Sequence, residues 1–120
     1  MSYFIHNDFK KFIVIDNERY CIEFVNGNKG WYKNGKLHRE DGPAIEHTDG
    51  NKGWYINNQL HRKDGPAIEW ADGYKAWYLN DIRHREDGPA IEFSSGTKEW
   101  WLNGVGYSKE NYYKELEKLK

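Results

Sequence analysis

Three histidines, His38, His61 and His84, each open the same hexapeptide, HREDGP or HRKDGP, together with an arginine (Arg39, Arg62, Arg85) and an aspartate (Asp41, Asp64, Asp87). Imidazole beside carboxylate is the chemistry of a zinc ligand set or an acid–base pair, and a row of arginines can clamp carboxylates or phosphates. The spacing argues against a shared metal. Copies of the segment stand 23 residues apart, and if each copy belongs to one hairpin, equivalent residues lie two strands, roughly 9 to 10 Å, from one another. Ligands of one ion must lie about 2 Å from it. Within a copy no Ser or Cys recurs as the nucleophile a triad requires, and no GxxxxGK or GxGxxG phosphate loop occurs. We read these residues as bracing for a kink, with each arginine paired to a neighbouring Asp or Glu. No catalytic residue, metal or cofactor is assigned.

The segment belongs to a longer unit. WYKNGKLHREDGPAIEHTDGNKG, residues 31–53, returns as WYINNQLHRKDGPAIEWADGYKA from Trp54 and WYLNDIRHREDGPAIEFSSGTKE from Trp77, and starts again at Trp100 as WWLNGVG. Half of it stands upstream, where Ile22, Glu23, Gly27 and Lys29 match Ile45, Glu46, Gly50 and Lys52. Self-similarity at a fixed short period is the signature of stacked units that cannot bury a core singly.

Lys and Arg total 18 against 19 Asp and Glu, so no global field draws in nucleic acid or an anionic membrane. Aromatics make up 17% of the chain against 38% apolar residues overall, and rings must therefore carry much of the burial. Cys21 is alone, which excludes an internal disulfide and fits a reducing, cytoplasmic compartment. The start, MSYFIHNDFKKF, lacks the charged and apolar regions of a leader, and no apolar run is long enough to span a bilayer.

Turn chemistry divides each unit. Asp49-Gly50, Asp72-Gly73 and Ser95-Gly96 separate β-forming runs, and Asn34-Gly35, Asn57-Asn58, Asn80-Asp81 and Asn103-Gly104 do so again about eight residues on. The expectation is an all-β protein, an elongated antiparallel meander of stacked hairpins with a C-terminal capping helix. Taking Asp49-Gly50 as a two-residue turn sets Thr48 opposite Asn51, His47 opposite Lys52, Glu46 opposite Gly53 and Ile45 opposite Trp54. Alternation then puts Ile45, His47, Lys52, Trp54 and Ile56 on one face as the core stripe, with Ile68, Trp70, Lys75, Trp77 and Leu79, and then Ile91, Phe93, Lys98, Trp100 and Leu102, as its later copies. Ala44, Glu46, Gly53 and Tyr55 fall on the other face, where the small residues let Tyr55 lie flat or leave a shallow groove.

The ends differ from the middle. Phe12–Ile15 and Tyr20–Val25 around Asp16-Asn17 form a hairpin that covers the edge of the first full unit. HRxDGP breaks the strand, because proline offers no donor. After Ser108, an N-cap residue, KENYYKELEKLK forms a helix of about three turns whose stripe is Tyr112, Leu116 and Leu119. Residues 1–30 thus make a capping hairpin and half repeat, 31–107 the repeats and 108–120 the capping helix, within one domain.

The period, the Asp-Gly turn with an aromatic after it at Trp54 and Trp77, and the Asn-Gly turn that follows resemble the MORN repeat in its bacterial and viral variants, of the form WYxNGxxHRxDGPAIE. The resemblance covers about Tyr20 to Gly104. It implies a single-layer sheet of stacked hairpins that binds other proteins or scaffolds an assembly, without activity of its own. An antitoxin-like protein, or a phage-encoded inhibitor of a bacterial defence enzyme, is one form of that role. The partner-binding candidates are Tyr32, Tyr55, Tyr78 and Trp101 on one face and Arg39, Arg62 and Arg85 at the kinks, since Tyr, Trp and Arg most often dominate interface energy. The alternative is a carbohydrate- or nucleic-acid-binding module that uses exposed aromatic and arginine rows.

Overall fold

Two kinds of turn build the repeat, and they differ in backbone conformation. At Asn34-Gly35, Asn57-Asn58, Asn80-Asp81 and Asn103-Gly104 both residues have positive φ, between 49° and 81°, as the two-residue type I′ turn requires. At the Asp-Gly turns only the glycine is left-handed, with Gly50 at φ 98° and Gly73 at 101°. His47 N–H donates to Asn51 O at 2.9 Å and Gly50 N–H to His47 O at 3.0 Å. This is a three-residue loop, a type I turn closed by a glycine bulge.

The structure, a computed structural model, describes the backbone of residues 9–120 and the side chains from Lys11 onward. Most of the stretch read for a leader lies outside those residues. The elements are β1 (Phe9–Val14), β2 (Arg19–Phe24), β3 (Lys29–Lys33), β4 (Lys36–Leu37), β5 (Ile45–Glu46), β6 (Lys52–Gly53), β7 (Tyr55–Ile56) and β8 (Gln59–Leu60). They continue as β9 (Ile68–Glu69), β10 (Lys75–Ala76), β11 (Tyr78–Leu79), β12 (Ile82–Arg83), β13 (Ile91–Glu92), β14 (Lys98–Leu102), β15 (Val105–Tyr107) and α1 (Lys109–Lys118). The main sheet has 11 strands in the order β1-β2-β3-β5-β6-β9-β10-β13-β14-β15, with β4 paired to β3. All its pairings are antiparallel. The short hairpins β7–β8 and β11–β12 are stitched to their neighbours instead, through Asn58 N–H to Leu37 O at 2.8 Å and Asp81 N–H to Leu60 O at 2.9 Å. The result is the expected elongated hairpin meander, 55 × 30 × 20 Å with a radius of gyration of 17.0 Å. A compact chain of this length would have about 13.6 Å.

The three-residue loop corrects the expected register. Ile45 opposes Gly53, not Trp54, and Glu46 opposes Lys52, not Gly53; His47 and Asn51, not Thr48 and Asn51, close the hairpin. The loop gains Thr48, which forms the turn with Asp49, and Gly50 serves as the bulge rather than as the second turn residue. A slip of one residue moves side chains across the sheet, so each expected face is split. Ile45 and His47 share a face with Gly53 and Tyr55, whereas Ala44, Glu46 and Lys52 share the other with Trp54 and Ile56. The single core stripe does not exist, and neither does lysine packed within it.

The N-terminal hairpin pairs β1 with β2 and β2 with β3, as expected, with Glu18 added to the turn. Asp16 Oδ1 accepts from Glu18 N–H and Arg19 N–H at 2.9 and 2.8 Å. At the other end Ser108 caps α1 by accepting Asn111 N–H at 3.2 Å. Tyr112 and Leu116 are buried with Leu102 against Trp100 and Tyr107. Leu119 departs from the expected stripe: it is the C-cap residue and 51% exposed, because the helix ends before that turn reaches the sheet. Among the described residues no helix is long and apolar enough to cross a membrane.

Candidate functional site: two unlike sheet faces

On the face of Trp31, Trp54 and Trp77, each indole is covered by the arginine of its own repeat. The guanidinium carbons of Arg39, Arg62 and Arg85 lie 3.8, 3.9 and 3.8 Å from the ring centroids. Their Nε groups donate to Asp41, Asp64 and Asp87 at 3.1, 3.2 and 2.8 Å. Their Nη1 groups reach both the proline carbonyl of the HRxDGP segment and the glutamate of the next strand, Glu46, Glu69 or Glu92. The flat, delocalised cation can stack and donate in its plane at once, which lysine cannot do. Gly42, Gly65 and Gly88 leave room for it, since a Cβ at any of them would come within 3.0 Å of the guanidinium carbon. Trp100 has no such arginine, because Ser108 stands at that place, and α1 covers it instead.

The histidines join successive repeats. Nδ1 of His38, His61 and His84 accepts the backbone N–H of Asn57, Asn80 and Asn103 at 3.1, 3.1 and 2.9 Å, each the first residue of the next type I′ turn. Nε2 of His38 and His84 meets Glu40 and Glu86 at 2.9 and 2.8 Å. The bond from His38 holds the Glu40 carboxyl below its ordinary range. The partner of each imidazole is therefore not the aspartate of its own segment, which belongs to the arginine. Among the described residues no three His, Cys, Asp or Glu side chains group closely enough to hold a metal ion.

The same face carries a ladder of charge. Glu23, Lys29, Glu46, Lys52, Glu69, Lys75, Glu92 and Lys98 are successive cross-strand partners, alternating in sign at every step, an arrangement favourable to sheet pairing.

The opposite face is built differently. Tyr32 and Tyr55 lie flat over Gly30 and Gly53, where a Cβ would come within 2.9 Å of the ring in both cases. Of the alternatives left by the sequence, the tyrosine does lie flat, and a shallow hollow remains beside it as well. Burial raises the phenol pKa of Tyr32 and Tyr55. Tyr78 and Trp101 continue the row. Arg83 links them, donating from Nε to Tyr78 Oη at 3.1 Å with its guanidinium 4.8 Å from the Trp101 ring. Trp101 Nε1 donates to Glu99 at 3.0 Å. From β2 to β15, strand alternation places only these two formal charges, Arg83 and Glu99, on this face, and both are bonded to its rings. A second row lies nearer the Asp-Gly turns, where Tyr74 contacts Trp70 and Phe93 at centroid distances of 4.6 and 5.6 Å. Trp70 is 47% exposed. Between the rows this hollow, of about 270 Å³, is lined by Ile45, His47, Tyr55, Ile68 and Trp70, with Asn51, Lys52 and Gly53 also bordering it.

The candidate residues therefore form two groups on opposite faces. Tyr32, Tyr55, Tyr78 and Trp101 make one row, and Arg39, Arg62 and Arg85 make another that is engaged within the chain. Tyr74 and Arg83 were not singled out from the sequence, and Trp70 and Phe93, expected in a core stripe, are 47% and 36% exposed on this face. The signal for their place was present: only a register with Glu46 opposite Lys52 sets glutamate against lysine in every repeat. Comparison with protein families, with curated proteins and with solved structures finds no match.

Proposed function

We propose that the protein is a non-catalytic, MORN-like protein-binding module whose charge-poor aromatic face lies against one macromolecular partner and acts by occlusion or scaffolding. The observation that supports this is the segregation of charge. A single antiparallel sheet ordinarily turns charged side chains to water on its bare side, whereas here the Glu–Lys ladder shares its face with the tryptophan–arginine stacks. The face left bare carries tyrosine, tryptophan and isoleucine. Such rings dominate interface energies, and the broad side of a molecule 55 × 30 Å in outline has room for the roughly 800 Å² per partner of a standard interface. A small cytoplasmic inhibitor, antitoxin-like or phage-encoded and directed at a bacterial defence enzyme, is the specific form of this reading.

Affinity capture from the cells that encode the protein tests it. The wild type is expected to retain a protein partner in stoichiometric amount, and Y55A/Y78A to lose it by at least tenfold while remaining folded by circular dichroism. Lys52→Ala, on the other face, is expected to retain it. Equal retention by the tyrosine variant, or capture abolished by nuclease, would overturn the proposal.

A second reading, a carbohydrate-binding platform, is favoured by the flat rings spaced two strands apart and by exposed Trp70. Flat rings suit stacking on sugars, and the scarcity of cations on this face disfavours a nucleic-acid backbone. Release of the captured partner by soluble glycan would select this reading.

A further inference from the structure

Two of the three HRxDGP segments satisfy their own histidine. Because Nδ1 of His38 and of His84 accepts a backbone N–H, the ring proton sits on Nε2 and is donated to Glu40 or Glu86. The middle segment departs from this pattern. His61 Nδ1 accepts from Asn80 N–H at 3.1 Å as its sisters do, but Lys63 stands where they have glutamate. Neither the His61 Nε2–H nor the Lys63 ammonium has a partner among the described residues.

Both groups line a cleft of about 730 Å³ between the first and second HRxDGP segments, with Trp54 and Ile56 among its lining residues. The carboxylates of that cleft are already engaged: Glu40 by His38, Asp41 by Arg39 and Asp64 by Arg62. Each of these carboxylates keeps a second oxygen turned to water, and the two lining side-chain groups left with no partner on this side, His61 Nε2–H and the Lys63 ammonium, are donors, one of them charged. Lys63 also borders the next cleft, of about 620 Å³, but there the imidazole is His84 and Glu86, a carboxylate of the chain itself, already sits on it.

We propose that the cleft at His61 and Lys63 binds a carboxylate supplied from outside the chain, an acidic side chain of a peptide. The carboxylate accepts from His61 Nε2–H, as Glu40 and Glu86 accept from the sister rings, and the Lys63 ammonium neutralises it, a charge-assisted bond stronger than a neutral one. Trp54 and Ile56 cover the methylenes that precede it, which favours a peptide over a small free acid. The site lies on the tryptophan face and does not rest on the function proposed for the aromatic face.

The test is a titration of the full chain with an acetylated, amidated peptide of four glutamates, followed by the ring resonances of His61. A saturable shift is expected, with binding at least tenfold weaker for the matching glutamine peptide and for free glutarate. Lys63→Glu is the decisive variant, because it writes the HREDGP of the flanking repeats and so places folding under no strain. It is expected to bind at least tenfold more weakly with an undiminished melting temperature. Unchanged affinity in K63E, equal affinity for the glutamine peptide or for glutarate, or inorganic phosphate bound as tightly as the glutamate peptide would each overturn the assignment.

Discussion

His38 Nδ1 accepts the backbone N–H of Asn57 at 3.1 Å, 19 residues further along the chain. That bond, repeated from His61 to Asn80 and from His84 to Asn103, ties each of the last three type I′ turns to the repeat before it. Replacing any of the three histidines by alanine leaves a turn amide without its acceptor, at an expected cost of about 1 to 3 kcal/mol. Thermal and denaturant melts should show H38A, H61A and H84A destabilised to a similar degree. A loss confined to H38A and H84A would mean that the glutamate contact, and not Nδ1, carries the effect.

The arginine stacks are expected to resist conservative replacement. Arg62→Lys keeps the charge but loses the planar stack on Trp54 and the simultaneous bonds to Asp64, Pro66 and Glu69. A destabilisation of about 1 to 2 kcal/mol is expected, with a red shift in tryptophan emission as Trp54 meets water. Wild-type stability and emission in that variant would reduce the stack to a surface ion pair.

The Tyr112 hydroxyl donates to Arg85 O and accepts from Gly88 N–H, the latter at 3.3 Å. It anchors the helix to the third HRxDGP segment. Tyr112→Phe should cost about 1 to 3 kcal/mol, because it leaves these backbone groups unpaired beneath the helix. Truncation after Gly106 should uncover Trp100 and Leu102 and cause self-association. Light scattering that finds the truncated chain monomeric and equally stable would assign the helix another role.

Stability should fall at both extremes of pH. The Asp16 carboxyl is lowered to about 2, chiefly by the hydrogen bond from Arg19. A depressed acid contributes stability that is full above its unfolded value near 4 and lost as pH falls through about 2. The phenols of Tyr32, Tyr55, Tyr74 and Tyr112 are raised, each chiefly by burial. Their contribution is full below the unfolded phenol pKa, about 10, and lost as pH rises through the folded values. Melts from pH 2 to 11 should therefore show a plateau between the two losses, and Asp16→Asn should flatten the acid arm. An acid arm unchanged in that variant would remove Asp16 from the account.

Deleting one period, residues 54–76, joins Gly53 to Trp77 and preserves every kind of inter-repeat bond. Since repeats contact chiefly their neighbours, the shortened protein should melt cooperatively and lose about 9 to 10 Å of length by small-angle scattering. Loss of a cooperative transition would show that the repeats are not equivalent modules.

Much of the architecture was legible in the residues themselves. Asn-Gly and its variants demand positive φ at both turn positions, and the structure has it at all four turns. The repeating HRxDGP ended a strand each time because proline cannot donate, and Ser108 with Tyr112 and Leu116 marked the capping helix. The pairing of arginine with aspartate was likewise readable from their closeness in sequence.

What tertiary structure decided was the register, and with it the composition of the faces. Asp-Gly fits a two-residue turn or a three-residue loop with a glycine bulge equally well, because glycine supplies the left-handed residue in either. The choice is made by the neighbouring strands, where Lys29 faces Glu46 and Lys52 faces Glu69, contacts between repeats that no local pattern contains. The histidine bonds are of the same kind, each spanning 19 residues to a backbone amide whose position depends on how repeats stack. Local turn chemistry thus determined what each repeat is, and packing between repeats decided which side chains share a face.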